Sequence, residues 1–233
     1  MSFDLEETLL NINKKFGKST IKKVTEAKSL ISRRIPIGIL PLDIAIGGGL
    51  PRGRVSLIIG EKSTSKTATC LKTIATWQKY CRLCSTEMIE RVGKNKKHKL
   101  SCKCGKNEKM GIVYLDSESS YDKLWAEKIG VNNEDIYIVQ PDNLEESIEV
   151  IKSMIKTNKI DLIIFDSIAS TTSITEEEKD VQDHCVGTNA KMMSKATRLI
   201  TSSFNFLSLD CENKPHVIFI NQFREKIGVM FGD

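Results

Sequence analysis

The segment Gly60-Glu61-Lys62-Ser63-Thr64-Ser65-Lys66-Thr67 follows an apolar run, Arg54-Val-Ser-Leu-Ile-Ile, and opens a stretch with helical spacing. A buried strand, a tight polar loop and Lys-Thr at a helix start together form a phosphate cradle. Backbone N–H groups and the positive helix end hold phosphate, the lysine reaches the outer phosphates, and the threonine hydroxyl ligates magnesium. The strict pattern has glycine before the lysine, where this chain has Ser65. If that position needs a positive φ, serine costs ~1 kcal/mol or more. A second apolar run, Ile160-Asp-Leu-Ile-Ile-Phe, ends in Asp166 and Ser167. An acid at the carboxyl end of a parallel strand can face such a loop and hold the magnesium shell. A third run, Val113-Tyr-Leu, ends in Asp116-Ser-Glu118. Glu118 is placed to polarise a water for attack on a terminal phosphate; Asp116 is expected to be a solvated loop acid.

Four of the seven cysteines form another constellation, Cys81-x2-Cys84-x17-Cys102-x-Cys104. Two close pairs of thiols in a reducing compartment suggest a metal before a disulfide. Four thiolates around Zn2+ make a closed structural site, which can replace the core that a short module lacks. His98 is an alternative ligand. Loss of the metal is expected to unfold the module while the rest of the chain persists. Cys70, Cys185 and Cys211 are scattered and read as small buried or half-buried residues. Residues 81–110 hold nine Lys or Arg against three acids, a net +6, so the rest of the chain carries −1 of the total +5. The lysines would suit nucleic-acid phosphate or simple solubility.

The elements needed to position these groups can be read from periodicity. Strands are predicted at 54–59, 112–115, 136–139, 161–165 and 216–220, and helices at 66–80, 121–129, 144–157 and 189–207. Their alternation predicts an α/β fold, a mostly parallel sheet flanked by helices. Leu5, Leu9, Ile12 and Phe16 predict an amphipathic helix over 3–16, followed by a lysine-rich linker. Pro36, Pro41, Gly47, Gly48, Gly49 and Pro51 mark irregular chain before the first strand. Three regions result: 1–34, helix and linker; 35–233, the α/β core; 81–110, an insert within it.

The 233 residues are 40% apolar and 28% charged, which excludes global disorder and a disulfide-stapled miniprotein. Apolar runs are too short to span a bilayer, which takes ~20 residues. The start, MSFDLEETLL, is acidic where a secretory signal is basic. A cytoplasmic protein is expected, neither exported nor membrane-bound.

Beyond these motifs, the chain resembles the RecA-type recombinases, including phage UvsX-like members. The likeness runs through Lys15-Phe-Gly-Lys-Ser-Thr-Ile21, Ile37 to Gly47, Gly49-Leu-Pro-Arg-Gly-Arg54 and, most specifically, Phe219-Ile-Asn-Gln222-Phe-Arg-Glu-Lys-Ile-Gly-Val-Met-Phe-Gly232. The resemblance implies a RecA-like ATPase core that binds ATP and Mg2+ through residues 60–67, with Lys66 on the phosphates, Thr67 on the metal and Glu118 as catalytic carboxylate. It implies that Asp122 and Trp125 contact adenine, that Asp166 with its neighbour Ser167 completes the magnesium shell, and that Gln222 senses the terminal phosphate. It implies a first DNA loop over Thr175–Gly187 and DNA-facing cations at Lys191, Arg198, Arg224 and Lys226. Single-stranded DNA, a homo-oligomeric filament built through the N-terminal helix, and nucleoid association (in a host cytoplasm if phage-encoded) are the implied partners and place. Three features depart from the family pattern: Ser65, the cysteine insert, and a C-terminus at Asp233 inside the second DNA loop. Two readings stay open: an ATP-dependent strand-exchange enzyme, or a truncated non-catalytic paralogue or split-protein half that modulates a full-length recombinase.

Overall fold

The computed structural model describes residues 4–17, 32–92, 98–171, 188–204, 207 and 213–222. The chain divides into two units, residues 1–32 and 33–233. In the first, helix α1 spans Leu5–Phe16. Asp4 caps it by accepting the Glu6 N–H at 3.1 Å, acids occupy its first turn and Lys14 and Lys15 its last, and none of its residues is buried.

The second unit is built on a five-stranded parallel sheet in the order β3-β9-β8-β6-β7. These strands are β3 (Val55–Gly60), β6 (Ile112–Asp116), β7 (Tyr137–Val139), β8 (Leu162–Asp166) and β9 (His216–Gln222). The three inner strands read as unbroken apolar runs because both faces of the sheet are covered. Ile112, Tyr114, Leu162, Ile164, Ile218 and Ile220 point to one face, with Cys70, Leu71 and Ile74 of helix α3 (Lys66–Trp77) and Ala126 of α4 (Lys123–Ile129). Val113, Leu115, Ile163, Phe165, Val217 and Phe219 point to the other. There they meet α5 (Leu144–Lys156) and α6 (Thr188–Ser203) through Ile148, Ile151, Ile155, Ala196 and Ile200. The alternation of a strand, with period two, thus sorts each run onto two cores. At the outer strands, Leu57 and Ile59 of β3 and Tyr137 and Ile138 of β7 stay exposed.

Residues 34–51 are more ordered than their Pro and Gly content predicts. Strands β1 (Arg34–Ile35) and β2 (Leu50–Pro51) pair antiparallel, and the short helix α2 (Leu40–Ala45) lies between them, with Pro41 at its start. Asp43, buried, accepts the N–H groups of Ile37 at 2.7 Å and Gly38 at 3.0 Å. Gly38 takes φ +89°, and a Cβ there would lie 2.0 Å from Thr76 Oγ1 of α3. The approach segment therefore needs glycine to lie against the helix that follows the polar loop.

The insert contains an antiparallel hairpin, β4 (Ile89–Val92) with β5 (His98–Ser101). The sequence had indicated no regular element there. Among the described residues, no helix is long and apolar enough to cross a membrane.

Candidate functional site

Parallel register delivers the chemistry to one edge of the sheet. Gly60 lies beside Gln222, and Asp116 beside Asp166, at the carboxyl ends of their strands. A cavity of about 440 Å3 opens there, lined by residues 62–68, Glu118, Trp125, Asp166, Ile220 and Gln222.

The loop enters α3 without a side-chain cap. Ser65 sits at the N-cap in the left-handed region, φ +63°, and its side chain bonds no backbone N–H. By contrast, Asp122 caps α4 through the Trp125 N–H at 2.9 Å, and Asn143 caps α5 through the Glu146 N–H at 2.8 Å. The first N–H groups of α3 are thus left for an anion. Lys66 Nζ donates to the carbonyl oxygens of Gly60, at 3.1 Å, and Glu61, which hold the cation at the loop's mouth. Thr64 Oγ1 also donates to the Glu61 carbonyl, at 2.8 Å.

Asp166 is the hub. Thr67 Oγ1 donates to its Oδ2 at 2.6 Å, and the buried Tyr114 hydroxyl donates to the same oxygen at 2.8 Å. Burial pushes the Asp166 carboxyl above the usual carboxylate range; these two hydrogen bonds pull it back, while Glu118 and Asp116 push it further up. Two hard oxygen donors from Thr67 and Asp166, in a site with an excess of acids, fit Mg2+. Glu118 is exposed at the cavity; Ser167 Oγ donates to its Oε1 at 2.7 Å, and Gln222 Nε2 approaches the same oxygen at 3.5 Å. The sensor candidate and the candidate catalytic carboxylate therefore share one contact.

Asp116 is not the solvated acid that the sequence suggested. It is buried, and its two oxygens accept the N–H groups of Ser120, at 3.1 Å, and Tyr121, at 2.9 Å. It folds the loop that carries Glu118. Ser117 and Tyr114 were also missed: Ser117 Oγ donates to the Ser167 carbonyl at 2.8 Å and accepts the Ser167 N–H at 2.9 Å. The alternation of β6 was the available signal for Tyr114, since it puts that residue and Ile112 on one face.

Trp125 lines the cavity, whereas the Asp122 carboxylate is engaged as the cap of α4. Lys191 and Arg198 lie on α6, Arg198 exposed. Thr175–Gly187, Arg224 and Lys226 fall outside the described residues, as do Cys185 and Cys211. Cys70 is fully buried in α3, and burial pushes its thiol far up, in keeping with a packing role.

The cysteine cluster lies elsewhere. The sulfurs of Cys81, Cys84, Cys102 and Cys104 all lie within 4.8 Å of one another. Cys102 and Cys104 approach to 3.4 Å, and Cys81 and Cys104 to 3.7 Å. The two halves are tied at Thr86, whose Oγ1 lies 3.0 Å from Cys84 Sγ and accepts the Lys103 N–H at 3.3 Å. Met88 and Leu83 pack on Cys81 and Cys102 as a small core. Four soft sulfur ligands brought this close together fit Zn2+, which such sites hold tetrahedrally.

The family model of the RecA N-terminal domain matches residues 4–101 and 89–233. The chain belongs to the RecA family. Its two matched pieces overlap at residues 89–101, within the cysteine-bearing stretch, so the RecA pattern runs on both sides of the insert. Among curated relatives, the RecA protein of Bdellovibrio bacteriovorus is 37% identical over 233 residues, covering 98% of this chain and 52% of that protein. The RecA proteins of Bacteroides thetaiotaomicron and Chloroflexus aurantiacus are 34% and 35% identical, each over 98% of this chain, and 59% and 56% of their own lengths are covered. The chain thus spans a little over half the length of these RecA relatives. RecA membership and the parallel sheet agree with the α/β expectation, and the elements predicted from periodicity fall in place with shifts of a few residues at their ends.

Proposed function

We propose that this chain is an ATP-dependent, single-stranded-DNA-binding recombinase of the strand-exchange type. The observation that carries the reading is the meeting, at one sheet edge, of an uncapped helix start with Lys66, the Thr67–Asp166 contact of 2.6 Å, and Glu118 touched by both Ser167 and Gln222. RecA-family membership supports it.

In this reading, the N–H groups of residues 60–67 bind the ATP phosphates and Lys66 moves from its loop carbonyls onto the outer phosphates. Trp125 offers its indole face to the purine, with Asp122 beside it. Thr67 and Asp166 would hold Mg2+, which would supply charge neutralisation at the phosphates. Glu118 accepts a proton from the attacking water, oriented by the Ser167 hydroxyl. Gln222 shares Glu118 Oε1, so a terminal phosphate that draws the amide away alters the residues after β9, where Arg224 and Lys226 follow. DNA affinity then rests on phosphates met by Lys191, Arg198, Arg224 and Lys226, and falls with salt. Protomers assemble as a filament through residues 1–34, in the cytoplasm on the nucleoid. The four cysteines hold Zn2+.

ATP hydrolysis by the purified chain, with and without single-stranded DNA, tests the reading. DNA should stimulate it, Glu118→Gln should abolish turnover while leaving ATP binding, and Lys66→Ala should abolish binding. Unchanged nucleotide affinity in Lys66→Ala would sink the site.

One observation favours a second reading. Ser65 occupies a left-handed conformation that glycine would take without strain. A non-catalytic relative that binds ATP or DNA and modulates a full-length recombinase, or is completed by a second chain, tolerates such a loop. DNA-independent nucleotide binding without turnover would favour it.

A further inference from the structure

Arg82 lies between the first two cysteines of the cluster, yet its side chain leaves the insert. Its Nε donates to Asp161 Oδ2 at 3.1 Å, and its Nη2 donates to the Asn158 carbonyl. Asp161, wholly buried, sits just before β8, at the end of the sheet opposite the cavity. Its other oxygen, Oδ1, accepts from Arg52 Nη2, and Arg52 is itself buried. Asp161 joins the starts of three strands: its N–H donates to the Gly111 carbonyl at 2.7 Å, its carbonyl accepts the His216 N–H at 2.8 Å, and its side-chain Oδ2 accepts the Gly111 N–H at 2.9 Å.

The knuckle is fastened to this foot by its main chain as well. The Leu83 carbonyl accepts from Arg33 Nη1 at 2.7 Å; within the insert, the Arg82 N–H donates to the Glu108 carbonyl at 2.8 Å. The direction of Arg82 is set by the turn in which it stands. That turn closes through the Ser85 N–H to the Cys81 carbonyl at 2.8 Å, and its two thiols belong to the sulfur cluster. A charged side chain anchored in a buried carboxylate needs a rigid base, because its ordering entropy must be offset. Local hydrogen bonds, one two-stranded hairpin and a small apolar patch made largely of the cysteines themselves are a thin base for a stretch carrying +6.

We infer that the metal in the cysteine knuckle is a lock for the RecA-like core: by fixing the Cys81–Cys84 turn it holds Arg82 on Asp161 and so joins the starts of β6, β8 and β9. The inference rests on the zinc reading of the four cysteines. It replaces the sequence expectation that the insert melts alone. The insert becomes a metal-dependent foundation for the sheet whose far edge carries the nucleotide site.

Elemental analysis of the full chain, purified under reducing conditions, comes first: about one zinc per chain is expected, and its absence overturns the zinc reading and this lock with it. Stripping zinc with a thiol-reactive mercurial plus chelator should then speed amide exchange at Gly111, Asp161 and His216 at least tenfold and lower the melting temperature by about 3–6 °C. Arg82→Met should keep the zinc, lower the melting temperature by a similar amount, and make those three amides largely insensitive to stripping. Zinc bound, but faster exchange confined to residues 81–110, would overturn the lock and leave the zinc site standing. Equal sensitivity to stripping in wild type and Arg82→Met would overturn it as well.

Discussion

Asp161 and Asp166 stand at opposite ends of one short strand, both almost fully buried, and their surroundings differ in sign. Asp161 meets two guanidiniums and a backbone N–H. Asp166 meets two neutral hydroxyls, and burial pushes its carboxyl up, with the acids Glu118 and Asp116 pushing the same way. The first carboxylate is electrically complete; the second is short of a positive charge. Residue type, strand and burial are shared, so it is charge balance that separates a structural acid from one suited to hold a metal.

The largest expected effect breaks the complete end. Asp161→Asn removes the carboxylate that the buried Arg52 and the half-buried Arg82 share and should cost about 3–5 kcal/mol in chemical denaturation. The same change at Asp166 should do the reverse in the nucleotide-free protein, holding stability within about 1 kcal/mol or raising it, because a buried charge is removed. Its cost appears in Mg-ATP affinity instead, which should fall at least about tenfold. Equal destabilisation by both variants would erase the contrast.

The foot of the sheet also carries a pH signature. His216 is buried, its Nδ1 lies 2.7 Å from the Pro51 carbonyl, and burial, with Arg52 close by, pushes its pKa down from 6.5 to about 4. The unfolded chain therefore binds the extra proton first. Stability should be full above pH 6.5 and decline as pH falls toward 4, by about 3 kcal/mol for this group at 1.36 kcal/mol per pH unit. His216→Asn, which keeps a donor for Pro51, should flatten that part of a denaturation-versus-pH curve; an unchanged slope would assign it elsewhere.

The smallest effect concerns the nucleotide end. Ser65→Gly relieves a left-handed serine and should stabilise the chain by about 1 kcal/mol, keep ATP binding and raise any hydrolysis. A fall in turnover would give the Ser65 hydroxyl a role of its own.

Much of this was legible before any coordinates. The inner strands could be found because each is a short apolar run bounded by turn residues, Asp166 because it ends such a run, and Gln222 through the family resemblance. The missing glycine before Lys66 raised the question of a positive φ at Ser65, and the structure answers it with φ +63°. What escaped depended on which backbone or side-chain groups the fold turns toward each residue. Asp116 looks like a loop acid until Ser120 and Tyr121 turn their N–H groups onto it. Helix α2 hides among prolines and glycines because its own Asp43 carboxylate folds back onto the N–H groups of Ile37 and Gly38. Nothing local marks Arg82 among nine cations as the one that reaches a carboxylate 79 positions away.

Strand β3 has a practical bearing on how the chain behaves in a test tube. Among the described residues its one sheet neighbour is β9, and Leu57 and Ile59 stand exposed along it. Unpaired N–H and C=O groups beside bare aliphatic side chains are adhesive toward any other extended chain. Solubility at high protein concentration should therefore be governed by this flank and not by the strongly cationic insert, and a lysine in place of Leu57 is the natural remedy for precipitation.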